Sequence, residues 1–369
     1  MLSETQIRWF RLRRSGLAVP FASPEAAASA LVGVQAQILP AAGLALWNRT
    51  TGLTYAALDD LLYQERSLVK LWGQRHTLHL YPRQEWPLII GALRGQRTWW
   101  ERQAEQNGAD MDGYRATIDR VAELLHERGT LGRSDLRAAD LDLKEEHLSA
   151  WGGVFADLVR RGDACHAGQV GNEGRFAHRE YWLPGLEWNP PPPEQANVEL
   201  ARRYLRTYGP ATVHDFLRWR GLRRVGDARP WFAALGDEVA EVTVDGKPAL
   251  ALRADLDALH ETAPPREAWP VRLLYRFDPL LLGHKDKAWI VDPEHYARVW
   301  RPAGHIEGTL LEQGRVAGTW RYDRTGGGLA VSVFPFTPLP AHVRAAVEEH
   351  AAGVARFLGL ELVEMVVEE

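Results

Sequence analysis

One succession of elements occurs twice along the chain, on either side of a proline run at residues 190–193, and it constrains the fold more than any other feature. Before the run, apolar residues at helical spacing in 118–126 are followed by a short extended link at 129–131 and two more helices. A glycine-interrupted alternation at 163–182 then indicates a β-hairpin. Helix, short strand, two helices and hairpin is the order of a winged helix, a variant of the helix-turn-helix.

The same order recurs after the prolines. Residues 196–207 have a helical pattern, 209–212 take the place of the first link, and helices are predicted at 213–220 and 228–235. A hairpin with Asp245-Gly246 as its turn completes the unit. The sequence therefore predicts a second winged helix, and the repetition supports both assignments.

The two ends of the chain follow other patterns. Ser23-Pro24-Glu25 is a typical helix start, and we expect that helix to continue through alanine-rich sequence to a point before Pro40. Near the other end, alternating segments predict several strands, one of them at 289–291, and then a helix at 341–358 and a strand at 361–367. The predicted fold class is α+β, with tandem winged-helix (helix-turn-helix) repeats and a C-terminal β-rich domain.

Charge limits the partners that the protein can hold. The 369 residues carry a formal charge of −4, so there is no overall positive field to attract nucleic acid. Five of the 44 basic residues are lysine, which leaves 39 arginines. Arginine suits bidentate contacts with phosphate and guanine, although a GC-rich genome would give the same bias. If the protein binds DNA, we expect these arginines to concentrate on one face.

The single cysteine, Cys165, excludes an intramolecular disulfide and a thiolate metal cluster. Residues 1–5 lack the layout of a signal peptide, and the apolar stretch at 30–47 is too interrupted for a membrane span. We expect a cytoplasmic protein without a membrane partner. His76 and His79 have a helical metal-ligand spacing, but their segment has an extended pattern and no apparent third ligand, so we predict no metal.

Gln35 and Gln37 are the most conspicuous polar pair. Residues two apart point to one side of an extended segment but to opposite sides of a helix. Pro40 disfavours helix just before it, so we expect the pair at a helix end or in a turn. The structural alternative is that both carboxamides cap helix carbonyls or face solvent.

The chain resembles the bacterial tandem winged-helix DNA glycosylases of the AlkZ and YcaQ type, which excise alkylated purines and unhook interstrand crosslinks. Residues 31–37 resemble the catalytic Gln-x-Gln element, and 75–80 match an Arg-x-Thr-x-His pattern. Further similarity lies at 46–49, 275–286 and, near the C-terminus, 308–321 with 357–366. The second glutamine is typical of the AlkZ-like branch, since the YcaQ-like branch is expected to carry Asp at position 37.

The resemblance implies a first winged-helix-like domain at residues 1–106 that carries the Gln-x-Gln motif. The two repeats derived above become domains 107–189 and 194–260, and 268–369 is the β-rich domain. It also implies a cofactor-free, monomeric protein whose three winged helices cradle duplex DNA near the nucleoid. An open site is expected, because a crosslinked base cannot be fully extruded as in base-flipping enzymes.

Two carboxamides fit excision of a base that is already charged. Cleavage of the bond between base and deoxyribose passes through an oxocarbenium-like transition state. An N7- or N3-alkylated purine is cationic and leaves as a neutral base, so no strong general acid is needed. A carboxamide oxygen can accept a hydrogen bond from the attacking water and stabilise positive charge on the sugar. We therefore predict that Gln35 and Gln37 are catalytic in a monofunctional glycosylase.

The resemblance implies DNA-binding roles for several more side chains, each with a structural alternative. Arg75 and His79 could hold a phosphate or form a hydrogen bond inside the domain. Trp47 could stack on a base or fill the core, and core packing is the commoner role of tryptophan. The predicted DNA-binding residues are Arg75, His79, Trp47, Asp278, His284 and Lys285. Asp278 could equally be a turn former.

Arginine-bearing segments at 94–102, 160–161 and 218–224 are further candidates for phosphate contacts. Two other functions use the same fold. One is a winged-helix transcription regulator, which would bind an operator as a dimer without consuming DNA. The other is a catalytically inactive DNA-binding protein.

Overall fold

The structure is a computed structural model. It describes residues 2–94, 101, 105–106, 108, 110–139, 141, 143–149 and 152–368. The chain forms two compact units, one of Met1–Leu58 with Val198–Glu369 and one of Asp59–Asn197. No helix among these described residues is long and apolar enough to cross a membrane.

The N-terminal part of the first unit is helical apart from one short strand. Its elements are α1 (Glu4–Arg14), α2 (Pro24–Ala30), β1 (Val34–Gln35), α3 (Leu39–Trp47) and the start of α4 (Tyr55–Tyr63). Ser23 accepts a hydrogen bond from the backbone N–H of Ala26 and Pro24 is the first residue of α2, so the predicted helix start is confirmed. The helix runs through the alanine-rich stretch and ends at Ala30, before Pro40, as predicted.

The repeat that follows the prolines has the predicted order of elements. The helices are α10 (Pro193–Tyr208), α11 (Val213–Arg220), α12 (Val225–Ala233) and the short α13 (Leu256–His260), with the hairpin β7 (Val239–Val244) and β8 (Lys247–Leu252) before the last. Ala211 exchanges two backbone hydrogen bonds of 2.9 Å with Leu250, so the short link pairs with the wing. Asp245 and Gly246 have positive φ, as the turn requires.

The C-terminal part is built on a five-stranded sheet. Its strands lie in the order β13, β12, β11, β10, β9, antiparallel except that β13 runs parallel to β12. The elements are β9 (Arg272–Leu274), α14 (Pro279–Leu282), α15 (Tyr296–Val299), β10 (Gly308–Glu312), β11 (Arg315–Thr325), β12 (Gly328–Pro335), α16 (Ala341–Phe357) and β13 (Glu361–Val367). The strand predicted at 289–291 is wrong: Ile290 and Val291 are buried in a turn, where both N–H groups bond to Lys287 O.

The second unit contains the other predicted winged helix. Its elements, after the end of α4, are β2 (Leu68–Trp72), β3 (Leu78–Pro82), α5 (Trp86–Leu93), α6 (Met111–Arg128), β4 (Thr130–Leu131), α7 (Arg133–Ala138), α8 (Val154–Arg161), β5 (Ala164–Val170), β6 (Glu173–His178) and α9 (Arg179–Trp182). Within this unit the strands follow the order β3, β2, β5, β6, β4. The link β4 pairs with the wing strand β6, as Ala211 pairs with β8 in the other repeat.

The mixed α+β class is therefore confirmed, with both winged-helix patterns in place. The four-domain division at 1–106, 107–189, 194–260 and 268–369 stays a prediction. Residues 1–106 belong partly to each of the two compact units, because these divide the chain after Leu58.

Candidate functional site

The Gln-x-Gln segment begins at a tightly closed helix end. Val32 and Gly33 follow α2 with φ of 55° and 93°, so the chain turns sharply there. The N–H of Gly33 bonds to Ala28 O at 2.8 Å and that of Val32 to Ser29 O at 3.0 Å. This pair of bonds is a Schellman motif, in which glycine is the usual residue at the position of Val32. A β-branched residue is rare at positive φ, so contacts from elsewhere must hold this turn.

After the turn, Gln35 lies in the two-residue strand β1 and Gln37 in the bend before α3. Gln35 is 8% exposed, whereas Gln37 is exposed. Ile38 is the extended cap residue of α3, and Pro40 lies in its first turn. Proline is tolerated there because its missing N–H would have no helical partner. Gln37 thus lies in a bend, in line with the predicted turn, whereas Gln35 lies in a short strand rather than at a helix end or in a turn.

Arg49 and Asp278 form an ion pair with no solvent exposure of either side chain. The guanidinium donates from Nη1 to Oδ2 at 2.8 Å and from Nη2 to Oδ1 at 2.7 Å. It also donates to the carbonyls of Ser15 and Ala45. The other role of Asp278 is to accept the N–H of Leu280 at the start of α14. The enclosed, fully hydrogen-bonded carboxylate favours a structural role for Asp278, and its DNA contact stays a prediction.

His284 is also interior, at 3% exposure. Its Nε2 donates to Tyr208 O at 2.7 Å, and its ring packs edge-on against Trp289. Burial, together with the nearby charges of Arg11 and Lys287, holds the pKa of His284 well below its usual value. A neutral, enclosed imidazole is poorly suited to a phosphate contact, so the geometry favours support of Tyr208 by His284, and the DNA contact of His284 stays a prediction.

Lys285 has an exposed side chain. Its backbone N–H donates to Asp215 Oδ1 at 2.8 Å, and the other oxygen of that carboxylate caps α11 through Thr212. The loop backbone is thus fixed to the start of α11 while the side chain of Lys285 remains in solvent. The predicted DNA-binding role of Lys285 is compatible with this placement.

Trp47 packs against the C-terminal helix α16. Its ring meets His350 edge-on at a centroid distance of 4.9 Å, and a Cβ at Gly353 would come within 2.7 Å of the same ring. Trp47 is half-buried and lines a cavity of about 410 Å³ together with Arg272 and His350. The geometry favours the packing alternative, and base stacking by Trp47 stays a prediction.

In the second unit, Arg75 lies in the turn between β2 and β3, and His79 lies in β3. His79 is 2% exposed, and its Nδ1 donates to Thr77 O at 2.9 Å. Its Nε2 then accepts from Arg75 Nη2 at 3.2 Å. Arg75 and His76 both have φ of 56°, so the turn is strongly bent. The buried His79 therefore orients the guanidinium of Arg75, and Arg75 itself is half-buried.

The arginine segments differ in their partners. Arg160 pairs with Glu101 and Asp157, and Arg161 pairs with Asp119 and Asp163. In contrast, three exposed arginines around the α11–α12 turn have no carboxylate partner within the described part of the chain. They are Arg218, Arg223 and Arg224. Of the 94–102 segment, 95–100 and 102 lie outside the described residues. The 218–224 cluster is therefore the better candidate for phosphate contacts.

Two further titratable groups lie in the second unit. His126, His178 and Glu180 could together hold a metal ion, but His178 Nδ1 already accepts the N–H of Glu180. Lys70 is buried on β2 opposite His166, and burial lowers its pKa to about 8. Sequence reasoning did not identify either feature, because the residues meet only through strand pairing and helix packing.

Comparison with known proteins places these elements in one family. The family model described as DNA glycosylase AlkZ-like matches residues 28–357. The chain belongs to the AlkZ-like DNA glycosylases. It is 34% identical over 349 residues to an interstrand DNA cross-link repair glycosylase of Streptomyces sahachiroi, covering 89% of each chain. It also superposes on the solved structure of the DNA glycosylase AlkZ from that organism with a TM-score of 0.82, at 30% identity and 99% coverage of both chains.

Membership in the AlkZ-like family confirms the predicted resemblance and the prediction of a DNA glycosylase. All the predicted site residues fall within the matched range 28–357. The roles of those individual residues stay predictions. Sequence reasoning missed Thr207 and Tyr208, which contact the backbone just before the Gln-x-Gln segment. No local signal could have identified them, because these contacts join residues 177 positions apart.

Proposed function

We propose that this chain hydrolyses the N-glycosidic bond of cationic N7- or N3-alkylated purines in DNA, including purines joined in interstrand crosslinks. The observation that carries the proposal is the placement of Gln35 and Gln37 just before α3. The side chain of Gln35 is buried and that of Gln37 is exposed. Family membership supports the reaction class, and the relative named for cross-link repair supports the substrate.

The reaction is balanced without a proton donor from the protein. The bond between C1′ and the purine nitrogen breaks, and its electron pair neutralises the positive charge of the alkylated base. A water oxygen then bonds to C1′, and the water's second proton passes to solvent. The carboxamide oxygens orient this water and stabilise the oxocarbenium charge, since they accept hydrogen bonds but do not take a proton at neutral pH.

We infer that the exposed position of Gln37 suits a crosslink. A base that is covalently joined to the opposite strand cannot enter an enclosed pocket, so the catalytic group must reach the base from an open surface. We further propose that the protein acts as a monomer. The candidate phosphate contacts are Lys285, Arg75, Arg218, Arg223 and Arg224. Arg75 is held by His79, and the other four side chains are exposed.

The proposal is tested by counting abasic sites. We expect the protein to generate abasic sites, revealed as strand breaks after alkali, in duplexes containing N7-methylguanine or a nitrogen-mustard crosslink. An unmodified duplex of the same sequence should give none above background. A regulator or an inactive relative would bind all three duplexes and cleave none. Activity on the monoadduct alone would contradict the crosslink part of the proposal, and no activity on either lesion would contradict the whole.

A further inference from the structure

We propose that Thr207 and Tyr208 are positioning residues for the Gln-x-Gln segment, because they bind the helix end from which that segment starts. This inference rests on the proposed function of Gln35 and Gln37. Tyr208 OH donates to Leu31 O at 3.0 Å, and Thr207 Oγ1 donates to Ala30 O. Both side chains come from the last turn of α10, and both are buried.

The carbonyl groups at the end of α2 show why these two bonds matter. The last carbonyls of a helix have no partner within it, and buried ones must find partners elsewhere. The Schellman motif accounts for Ala28 O and Ser29 O through the N–H groups of Gly33 and Val32. The next two carbonyls, of Ala30 and Leu31, receive the two hydroxyl groups from α10. Every carbonyl from residue 28 to 31 therefore has a donor.

This arrangement holds a strained turn immediately before the glutamines. Val32 has φ of 55° and is fully buried, a conformation that the local sequence does not favour. Leu31 O belongs to the peptide group that joins Leu31 to Val32. A hydroxyl group donating to it fixes the plane of that peptide, and with it the direction in which Val34 and Gln35 leave the helix. Removing the donor leaves a buried carbonyl that must rotate to find another.

Tyr208 is itself fixed by the segment after Asp278. His284 Nε2 donates to the backbone carbonyl of Tyr208 at 2.7 Å. A Cβ at Gly283 would lie 2.5 Å from the Tyr208 ring, so a glycine allows the close contact. The Gly283-His284 sequence therefore supports Tyr208, which in turn supports the turn at Val32.

The test compares Tyr208→Phe with the matched control Tyr204→Phe. Each change removes one buried hydroxyl from α10, but only Tyr208 bonds to the backbone before Gln35. We expect Tyr208→Phe to lower the single-turnover rate of abasic-site formation about ten-fold at saturating DNA. This loss is smaller than the roughly 10²-fold loss that a 1 Å misplacement can cause. The Kd for DNA should stay within two-fold. Thr207→Val should behave in the same way, and Tyr204→Phe should keep the wild-type rate.

Hydrogen exchange provides a readout that does not depend on activity. A peptide covering residues 28–37 should exchange its amide hydrogens at least ten-fold faster in Tyr208→Phe than in wild type, and unchanged in Tyr204→Phe. A wild-type rate together with unchanged exchange in Tyr208→Phe would overturn the positioning role. If the wild-type protein forms no abasic sites, the proposed function fails, and unchanged exchange would still separately contradict the positioning role.

Discussion

Replacing Gln35 and Gln37 together by alanine is expected to abolish measurable excision of N7-methylguanine, with each single variant losing about 10²- to 10³-fold in single-turnover rate. That magnitude is typical of removing one preorganised dipole that stabilises charge in a transition state. The exposed Gln37 should affect the rate more than the DNA affinity, because it acts on the water and the sugar rather than on phosphates. Abasic sites counted over time at saturating enzyme measure the rate directly.

Gln195→Ala is the matched control for these variants. Gln195 is an exposed glutamine on α10, and its removal should leave both rate and affinity unchanged. Thermal unfolding of the four variants and the wild-type protein separates a catalytic loss from a folding defect. If the double variant retained more than a tenth of the wild-type rate, the two glutamines would not be the catalytic groups.

Asp278→Asn is expected to destabilise the first unit by about 3–5 kcal/mol, the usual cost of removing one partner from a buried ion pair. The change leaves the Arg49 guanidinium charged and enclosed, without the bidentate acceptor that it has in the wild-type protein. Urea denaturation, followed by far-ultraviolet circular dichroism, measures the loss. Excision at low temperature should persist in the fraction that remains folded, because neither residue touches the substrate in this account.

The double variant Arg49→Met with Asp278→Leu removes both charges and should cost less than Asp278→Asn alone. Arg301→Ala is a surface control, because its pair with Glu307 spans 3.8 Å and is half-exposed. Such pairs contribute about 0–1 kcal/mol. A loss below about 1 kcal/mol for Asp278→Asn would show that the carboxylate is not structurally important and would favour a DNA-binding role for it.

The parts of the fold that could be predicted from sequence are those set by local chemistry. The cap at Ser23, the Asp245-Gly246 turn and the order of elements in both winged helices follow from residues close together in the chain. The turn that ends α2 could not be predicted, because Val32 adopts positive φ against its own preference. The hydroxyl groups that hold it lie 177 residues away.

Long-range contacts also determine the surroundings of two predicted site residues. Asp278 and His284 lie in a segment that resembles the family pattern, but the sequence does not reveal whether such residues face DNA or the interior. Arg49 pairs with Asp278 across 229 positions, and Tyr208 binds His284 across 76. A shared motif therefore selects such residues without indicating whether they contact substrate or protein.

A protein that relies on two carboxamides for catalysis should excise only a base that already carries positive charge. The most direct test is the ratio of single-turnover rates on matched duplexes that contain either N7-methylguanine or hypoxanthine, a neutral purine. General acid catalysis typically contributes about 10²- to 10⁴-fold, and a neutral leaving base would need it. We expect N7-methylguanine to be released more than about 10³-fold faster than hypoxanthine. Comparable rates on the two duplexes would contradict this expectation, since they would require a proton donor that two glutamines cannot provide.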